Sequence, residues 1–291
     1  MQRITLLILY LLFIIPSVTA AQLVSDVPDT ARVYIKKPNW DVNLRAGVNG
    51  SQASYRNWTQ GGVNNVTASG HTTGTAEYTK GKYRLNSRLN LRYGQTWLEG
   101  NELRKSEDIF RFRNQLTRQF DDKRFGTVIN VNFETQFDKG YDADRENVVS
   151  RFMAPAYLTE TIGFSFSPLN TKFEMDTGIA MKQTYVRDTA LSTRYGLDEG
   201  QRFQNEAGFS MIFKYEVDLM ENVTYVGYLE TFSNVLKKLE STDFTFTNEL
   251  RGRINRYLRA NIEFAVQYND NVSKELQIKQ LLSLGLNYQI F

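Results

Sequence analysis

The chain of 291 residues has no cysteine, a single histidine and only five prolines. Without cysteine there is no disulfide, no thiolate nucleophile, no cysteine-bound metal and no lipid-attachment site behind a leader. One histidine leaves only carboxylates for a cation, so no metal is assigned and no cofactor is expected. Scarce proline is what long paired strands require, because proline cannot donate to a ladder. An excess of one charge is missing too. Lys plus Arg is 35 against 32 for Asp plus Glu, which argues against a dedicated nucleic-acid binder.

Long apolar runs are confined to the amino-terminus. Arg3 precedes an apolar stretch at 4–15 interrupted only by Thr5, Pro16 breaks it, and Val18, Thr19 and Ala20 offer small residues for cleavage. A helical membrane span needs about 20 apolar residues, so this stretch predicts a cleaved signal peptide over 1–20. Residues 21–38 lack sustained alternation and are expected to be a periplasmic lead-in, leaving 39–291 as one large β-domain.

What the rest of the chain has is a period of two. In the last stretch Leu282, Leu284, Leu286, Tyr288 and Ile290 alternate with Ser283, Gly285, Asn287 and Gln289. That spacing puts apolar side chains on one strand face and polar ones on the other. The same pattern recurs from Trp40 onward in about twelve segments, the second of them (66–80) being Thr- and Gly-rich and weakly apolar. The connections read as alternately long and short, the long ones at 50–62, 99–108, 138–155, 186–200, 236–241 and 269–276. Apolar faces end in aromatics such as Trp40, Tyr83, Phe125, Trp97, Phe137 and Tyr268, drawn from 16 Tyr, 19 Phe and 3 Trp. An even strand number, parity in loop length and two aromatic girdles predict an all-β, transmembrane, antiparallel up-and-down β-barrel with both termini periplasmic. A soluble all-β periplasmic protein is the other fold considered. Asn114, Arg118 and Asn248 fall in lipid-facing phase and are blemishes on the pattern.

Ser283, Gly285, Tyr288 and Ile290 resemble the terminal insertion signal of outer-membrane β-barrels, with Phe291 one residue past the apolar stripe. The resemblance implies that the last strand closes the barrel against the first and is read by the barrel-assembly machinery. It also implies the outer membrane of a gram-negative bacterium, with lipid as the surrounding partner.

The polar faces carry unusual charge. Arg84, Arg88, Arg92, Arg111 and Arg113 form a basic strip on the third and fourth strands, and Arg251, Arg253 and Arg259 a second one. Glu174, Asp176, Glu206, Glu216 and Glu230 gather on the strands between, and Glu134, Glu249 and Glu263 also have lumen phase. These residues are candidate pore-lining groups, setting a transverse field that selects solutes. The alternative is that they pair with one another and fill the interior, since an unpaired charge in a narrow lumen costs several kcal/mol.

His71 is considered as a catalytic base because outer-membrane phospholipases use a His, Ser and Asn constellation, but no Gly-x-Ser-x-Gly elbow accompanies it. Ser69 and Ser87 have no argued link to it, and no catalytic residue is assigned. Asp142, Asp144 and Glu146 look like a calcium-loop fragment without its glycine and bidentate Glu. In the first loop, Gln52 followed by Asn57, Trp58, Gly61 and Gly62 resembles the signature of an uncharacterised secreted family of gram-negative outer-membrane proteomes, a domain of unknown function. That resemblance implies a class and a location, and no activity. Three functions remain open: a narrow channel for small polar solutes, a filled barrel acting through its outer loops, and an outer-membrane hydrolase.

Overall fold

The computed structural model describes residues 38–53, 65–98, 100, 103–142, 146–237 and 239–289. The expected signal peptide, most of the lead-in, and Asn57, Trp58, Gly61 and Gly62 lie outside the described residues, as do Ile290 and Phe291.

The two-residue alternation folds as strands because it gives every strand one face to bury and one to expose. In chain order these are β1 (Trp40–Ala53), β2 (Asn65–Lys80), β3 (Tyr83–Leu98), β4 (Arg104–Gln119) and β5 (Phe125–Thr135). Then follow β6 (Gly140–Tyr141), β7 (Val148–Ser150), β8 (Ala156–Phe166), β9 (Lys172–Tyr185) and β10 (Phe203–Met220). The chain ends with β11 (Val223–Asn234), β12 (Asp243–Arg253), β13 (Leu258–Asn269) and β14 (Ser273–Gln289). Twelve strands close into one antiparallel barrel, each bonded to its neighbours in sequence. β6 and β7 stand apart as a hairpin in the connection from β5 to β8, so β5 and β8 are bonded directly.

Closure is by β1 against β14, over a register that runs only from Arg45↔Gln289 to Asn49↔Gly285. By contrast β1 pairs with β2 along its whole length, from Trp40↔Tyr78 to Ala53↔Asn65. The seam is thus the shortest ladder of the barrel.

Several boundaries differ from the sequence-based expectation, mostly toward longer strands, although β5 stops at Thr135, short of Phe137, and β10 starts only at Phe203. β1 runs through Gly50 to Ala53, β4 begins at Arg104 and β14 at Ser273, all inside expected loops. Polar residues such as Ser51, Lys105 and Lys274 end the apolar stripe without ending the main-chain ladder. The weakly patterned second segment forms a full strand, β2, held by complete pairing on both sides. The parity of connection length fails at two places, because β13 and β14 are joined only by residues 270–272, and β3 and β4 by 99–103, no longer than the opposite-end connections 120–124 and 167–171. The connection at 186–202 is ordered by two short 3-10 turns, Thr189–Leu191 and Thr193–Tyr195.

Polarity is inverted relative to a water-soluble fold. Val48, Phe164, Ile179 and Leu282 stand 61, 62, 64 and 74% exposed, whereas Asp176 and Ser210 are each 2% exposed inside. Such an unbroken apolar exterior is far beyond what a soluble monomer displays, and it suits a bilayer. Rings of Phe125, Phe166, Phe173 and Phe213 follow one another around the short-turn end at 5.0, 6.4 and 6.5 Å between centroids. Phe110 packs on Phe133 and Phe137 at 5.8 and 5.6 Å nearer the other end. Two of the outward polar residues satisfy each other or a neighbour: Asn114 accepts from Ser87 at 2.7 Å, and Asn248 accepts from the Tyr225 hydroxyl. Pairing removes most of the cost of a polar group in lipid. Arg118 lies next to the end of β4.

Candidate functional site

All sixteen candidate residues project to the inside of the barrel, on the face opposite the apolar stripe of their strands. They are not evenly used. One wall, from β4 through β10, is filled with polar side chains bonded to one another. Asp176 accepts from Gln115 and Asn130 at 2.7 and 2.9 Å. Glu174 accepts from Gln115 at 2.6 Å and Lys214 at 2.7 Å, and from Arg84 at 3.2 Å, which reaches over from β3. These bonds are charge-assisted; Glu174 has two cations to offset its desolvation, whereas Asp176 has amide donors on one oxygen only and its Oδ1 is buried without a partner.

Further chords tie distant strands together. Glu230 on β11 accepts from Asn132 at 3.0 Å, from the Tyr228 hydroxyl at 2.5 Å and from Arg113 on β4 at 3.5 Å. The Arg113 guanidinium lies 4.1 Å over the Tyr228 ring, a cation–π contact that fixes the chord. Arg111 donates to Glu134 at 2.5 Å. A chamber of about 120 Å³ remains between Arg111, Glu134, Tyr157, Lys182, Asp243 and Gln267, room for a few waters at about 30 Å³ each.

Toward the long-connection end, Lys182 bonds Asp243, and Glu206 accepts from Asn234 and Asn271 at 2.8 Å each. Lys237 stands 3.7 Å from Glu206 and 3.3 Å from Asp270. The Lys274 ammonium, bonded to Asp270, holds its carboxyl below the usual range. Above them Ala154, Val186, Leu191, Tyr195 and Leu197 form a small apolar core against Val272. The Tyr195 hydroxyl donates to the Val149 carbonyl at 2.6 Å, and burial raises its pKa. The connections at 136–155 and 186–202 are thereby fastened to the β13–β14 turn.

The opposite wall, from β12 through β14 to β3, is different. Between its charged side chains stand small inward residues, among them Asn43, Gly47, Thr73, Thr75, Ser283 and Gly285. Arg88 is exposed to solvent although it sits in mid-strand, opposite Thr75 and Arg113. Arg45, which the sequence reading passed over, is exposed on the same wall. The wall narrows toward the long-connection end, where Glu263 accepts from Arg92 at 2.7 Å and Lys279 at 2.9 Å. Arg251 bonds Glu249, Arg253 donates to Asn222 at 2.8 Å, and Glu216 accepts from Lys172 at 2.6 Å.

His71 spans the seam. Its Nε2 is 2.8 Å from the Asn287 side-chain oxygen, so it bridges β2 to β14 over Gly47 of β1. Its Nδ1 is buried with no hydrogen-bond partner, and Ser87 is engaged with Asn114. Among the described residues no hydroxyl is hydrogen-bonded to His71, so the constellation a serine hydrolase needs is not assembled around it. Asp142 accepts from Asn147 at 2.8 Å; Asp144 lies outside the described residues. No cluster of His, Asp and Glu able to hold a metal occurs among the described residues. Gln52 is exposed in β1.

Residues 51–141 match the family described as "Protein of unknown function (DUF3078)", a segment that contains, without singling out, residues 57–62. No curated protein sequence matches the chain. Solved structures of similar shape include an outer membrane channel from Pseudomonas putida F1, at 8% identity and TM-score 0.40, covering 85% of this chain and 93% of that one. The outer membrane channel DcaP of Acinetobacter baumannii is similar at 7% identity and TM-score 0.35, over 87% of this chain and 98% of that one. The translocator domain of the autotransporter NalP from Neisseria meningitidis is similar at 9% identity and TM-score 0.32, over 86% and 87% of the two chains.

Proposed function

We propose that the chain is an outer-membrane β-barrel with a narrow, water-filled conduit for small polar solutes, displaced toward the β12–β3 wall. The observation that carries this reading is Arg88, solvent-exposed in mid-strand inside a closed barrel. A guanidinium there must be hydrated, and water that reaches it occupies the lumen. The chord of Arg92, Glu263 and Lys279 is the constriction, and a charged constriction passes hydrated ions or small polar solutes in preference to apolar ones. In this reading the terminal strand β14 also presents the signal for the barrel-assembly machinery, lipid surrounds the apolar belt, and a cleaved leader directs export.

A second reading rests on a separate observation. The connections at 136–155 and 186–202 have a small core of their own, and an ordered surface of that kind suits a barrel that acts through its outer loops. Planar-bilayer recording of the purified mature chain separates the two. Steps of small, uniform conductance support the conduit, and electrically silent barrels of normal fold support the loop reading.

A further inference from the structure

Most inward charges of the described residues are neutralised by a partner, but the short-turn end of the lumen keeps an uncompensated positive group. Arg45, Arg88 and Arg259 make no ion pair or side-chain hydrogen bond among the described residues, and the Arg259 Nε is buried without a partner. They occupy the short-turn half of the barrel, with Arg259 one residue in from that end of β13, and Arg45 and Arg88 each five residues in along β1 and β3. Arg45 and Arg88 are two strands apart and offset by one inward position on the shared partner β2, where they face Thr73 and Thr75. Two strand spacings make about 10 Å, which two extended arginines span readily. Arg259 is directly opposite Arg253, and it has Arg45, Arg251 and Arg253 as charged neighbours. Arg251 is also the neighbour of Arg88.

The carboxylates facing this group are Asp41, Glu77, Glu216 and Glu249. Glu249 is engaged by Arg251 and Glu216 by Lys172, while Glu77 accepts from Asn86 at 3.3 Å. Asp41 lies exposed at the rim. Four arginines, Arg45, Arg88, Arg253 and Arg259, are thus left facing two uncommitted carboxylates. Like charges gathered with too little counter-charge repel, and a bound anion relieves that repulsion. Guanidinium forks suit planar or tetrahedral oxyanions because they donate two parallel N–H bonds to two oxygens.

We infer that Arg45, Arg88 and Arg259, with Arg253 at the rim, form a binding site for a multiply charged oxyanion in a vestibule at the short-turn end of the lumen. The ligand chemistry is a phosphate or a polycarboxylate. The inference rests on the reading of a hydrated β12–β3 wall and adds to it the class of solute.

The test is isothermal titration of the folded, full mature chain in detergent with inorganic phosphate and, separately, with citrate. Saturable binding of either is expected, weakening as ionic strength rises. Arg88→Gln with Arg259→Gln should weaken it by roughly tenfold or more, whereas Lys139→Gln in an outer connection should leave it unchanged. Should the double variant not fold, Arg45→Gln, at an exposed position, makes the same comparison. Absence of saturable binding by either anion, or equal affinity in the arginine variants, overturns the site. Bilayer recordings keep the two proposals apart. Conductance without anion binding leaves the conduit and removes the site; anion binding without conductance does the reverse.

Discussion

Gly47 is the position where the seam leaves no room for a side chain. A Cβ built there would lie 2.6 Å from the His71 Cε1, 2.7 Å from its Nε2 and 2.6 Å from the Leu286 carbonyl oxygen. The ring can rotate away only by giving up its bond to Asn287, and the carbonyl belongs to the β14 backbone. Gly47→Ala is therefore an overpacking change costing about 1–3 kcal/mol, with about 1 kcal/mol more for the lost hydrogen bond. Gly50→Ala is the control on the same strand, because its Cβ meets nothing nearer than the Thr67 oxygen at 3.8 Å. That change should be neutral or stabilise by up to about 1 kcal/mol. The assay is the urea midpoint of the barrel in lipid vesicles, read by the loss of heat-modifiable migration on gels. Gly47→Ala with His71→Ala should recover part of the loss, since the ring clash goes and the Leu286 clash stays. If Gly47→Ala unfolds at the same urea concentration as Gly50→Ala, the bridge from β2 to β14 over β1 is wrong.

Three other outcomes are expected. Glu174→Ala removes the common acceptor of Arg84, Gln115 and Lys214; both cations are partly exposed, so it should destabilise the barrel by about 1–3 kcal/mol in the same unfolding assay. A protease site placed in 138–155 or 186–200 should be cut on intact cells, and one in 121–123 or 220–222 should not; equal cleavage would overturn the orientation. Asp270 titrates low because Lys274 donates to it, so its contribution to stability is present above the ordinary carboxylate value of about 4 and is lost as pH falls through the depressed one. Side-chain NMR of Asp270 should therefore give a midpoint that rises toward the ordinary value in Lys274→Gln.

Which residues face inward was legible because side-chain direction along a strand depends only on parity. Arg84, Arg92, Glu174 and Glu263 are all inside for that reason. Which of them meet was not legible, because the Arg84–Glu174 and Arg92–Glu263 pairs join strands far apart in sequence and are set by the stagger of the closed barrel. Strand ends were misplaced where the ladder outlasts the apolar stripe, as at Arg104 and Ser273. Main-chain pairing needs no apolar side chain, so hydropathy alone cannot mark its limit. Arg45 was overlooked as one polar residue among Asp41 and Asn43 on β1; its isolation emerges only once its neighbours across the lumen are known. The role of His71 was hidden for a related reason: its partner, Asn287, is at the other end of the chain.

The division of the lumen into a filled and a hydrated wall is open to a direct measurement, because the chain has no cysteine of its own. Thr75 lies beside Arg88 on the hydrated wall, and Thr161 is 2% exposed on the filled one. Thr75→Cys and Thr161→Cys, each in the folded barrel in membranes, are treated with a small, charged, water-soluble thiol reagent. Rapid labelling at 75 with protection at 161 until the barrel is unfolded is the predicted result. Equal labelling of both would mean a lumen open throughout, protection of both would mean one closed throughout, and either result would contradict the division.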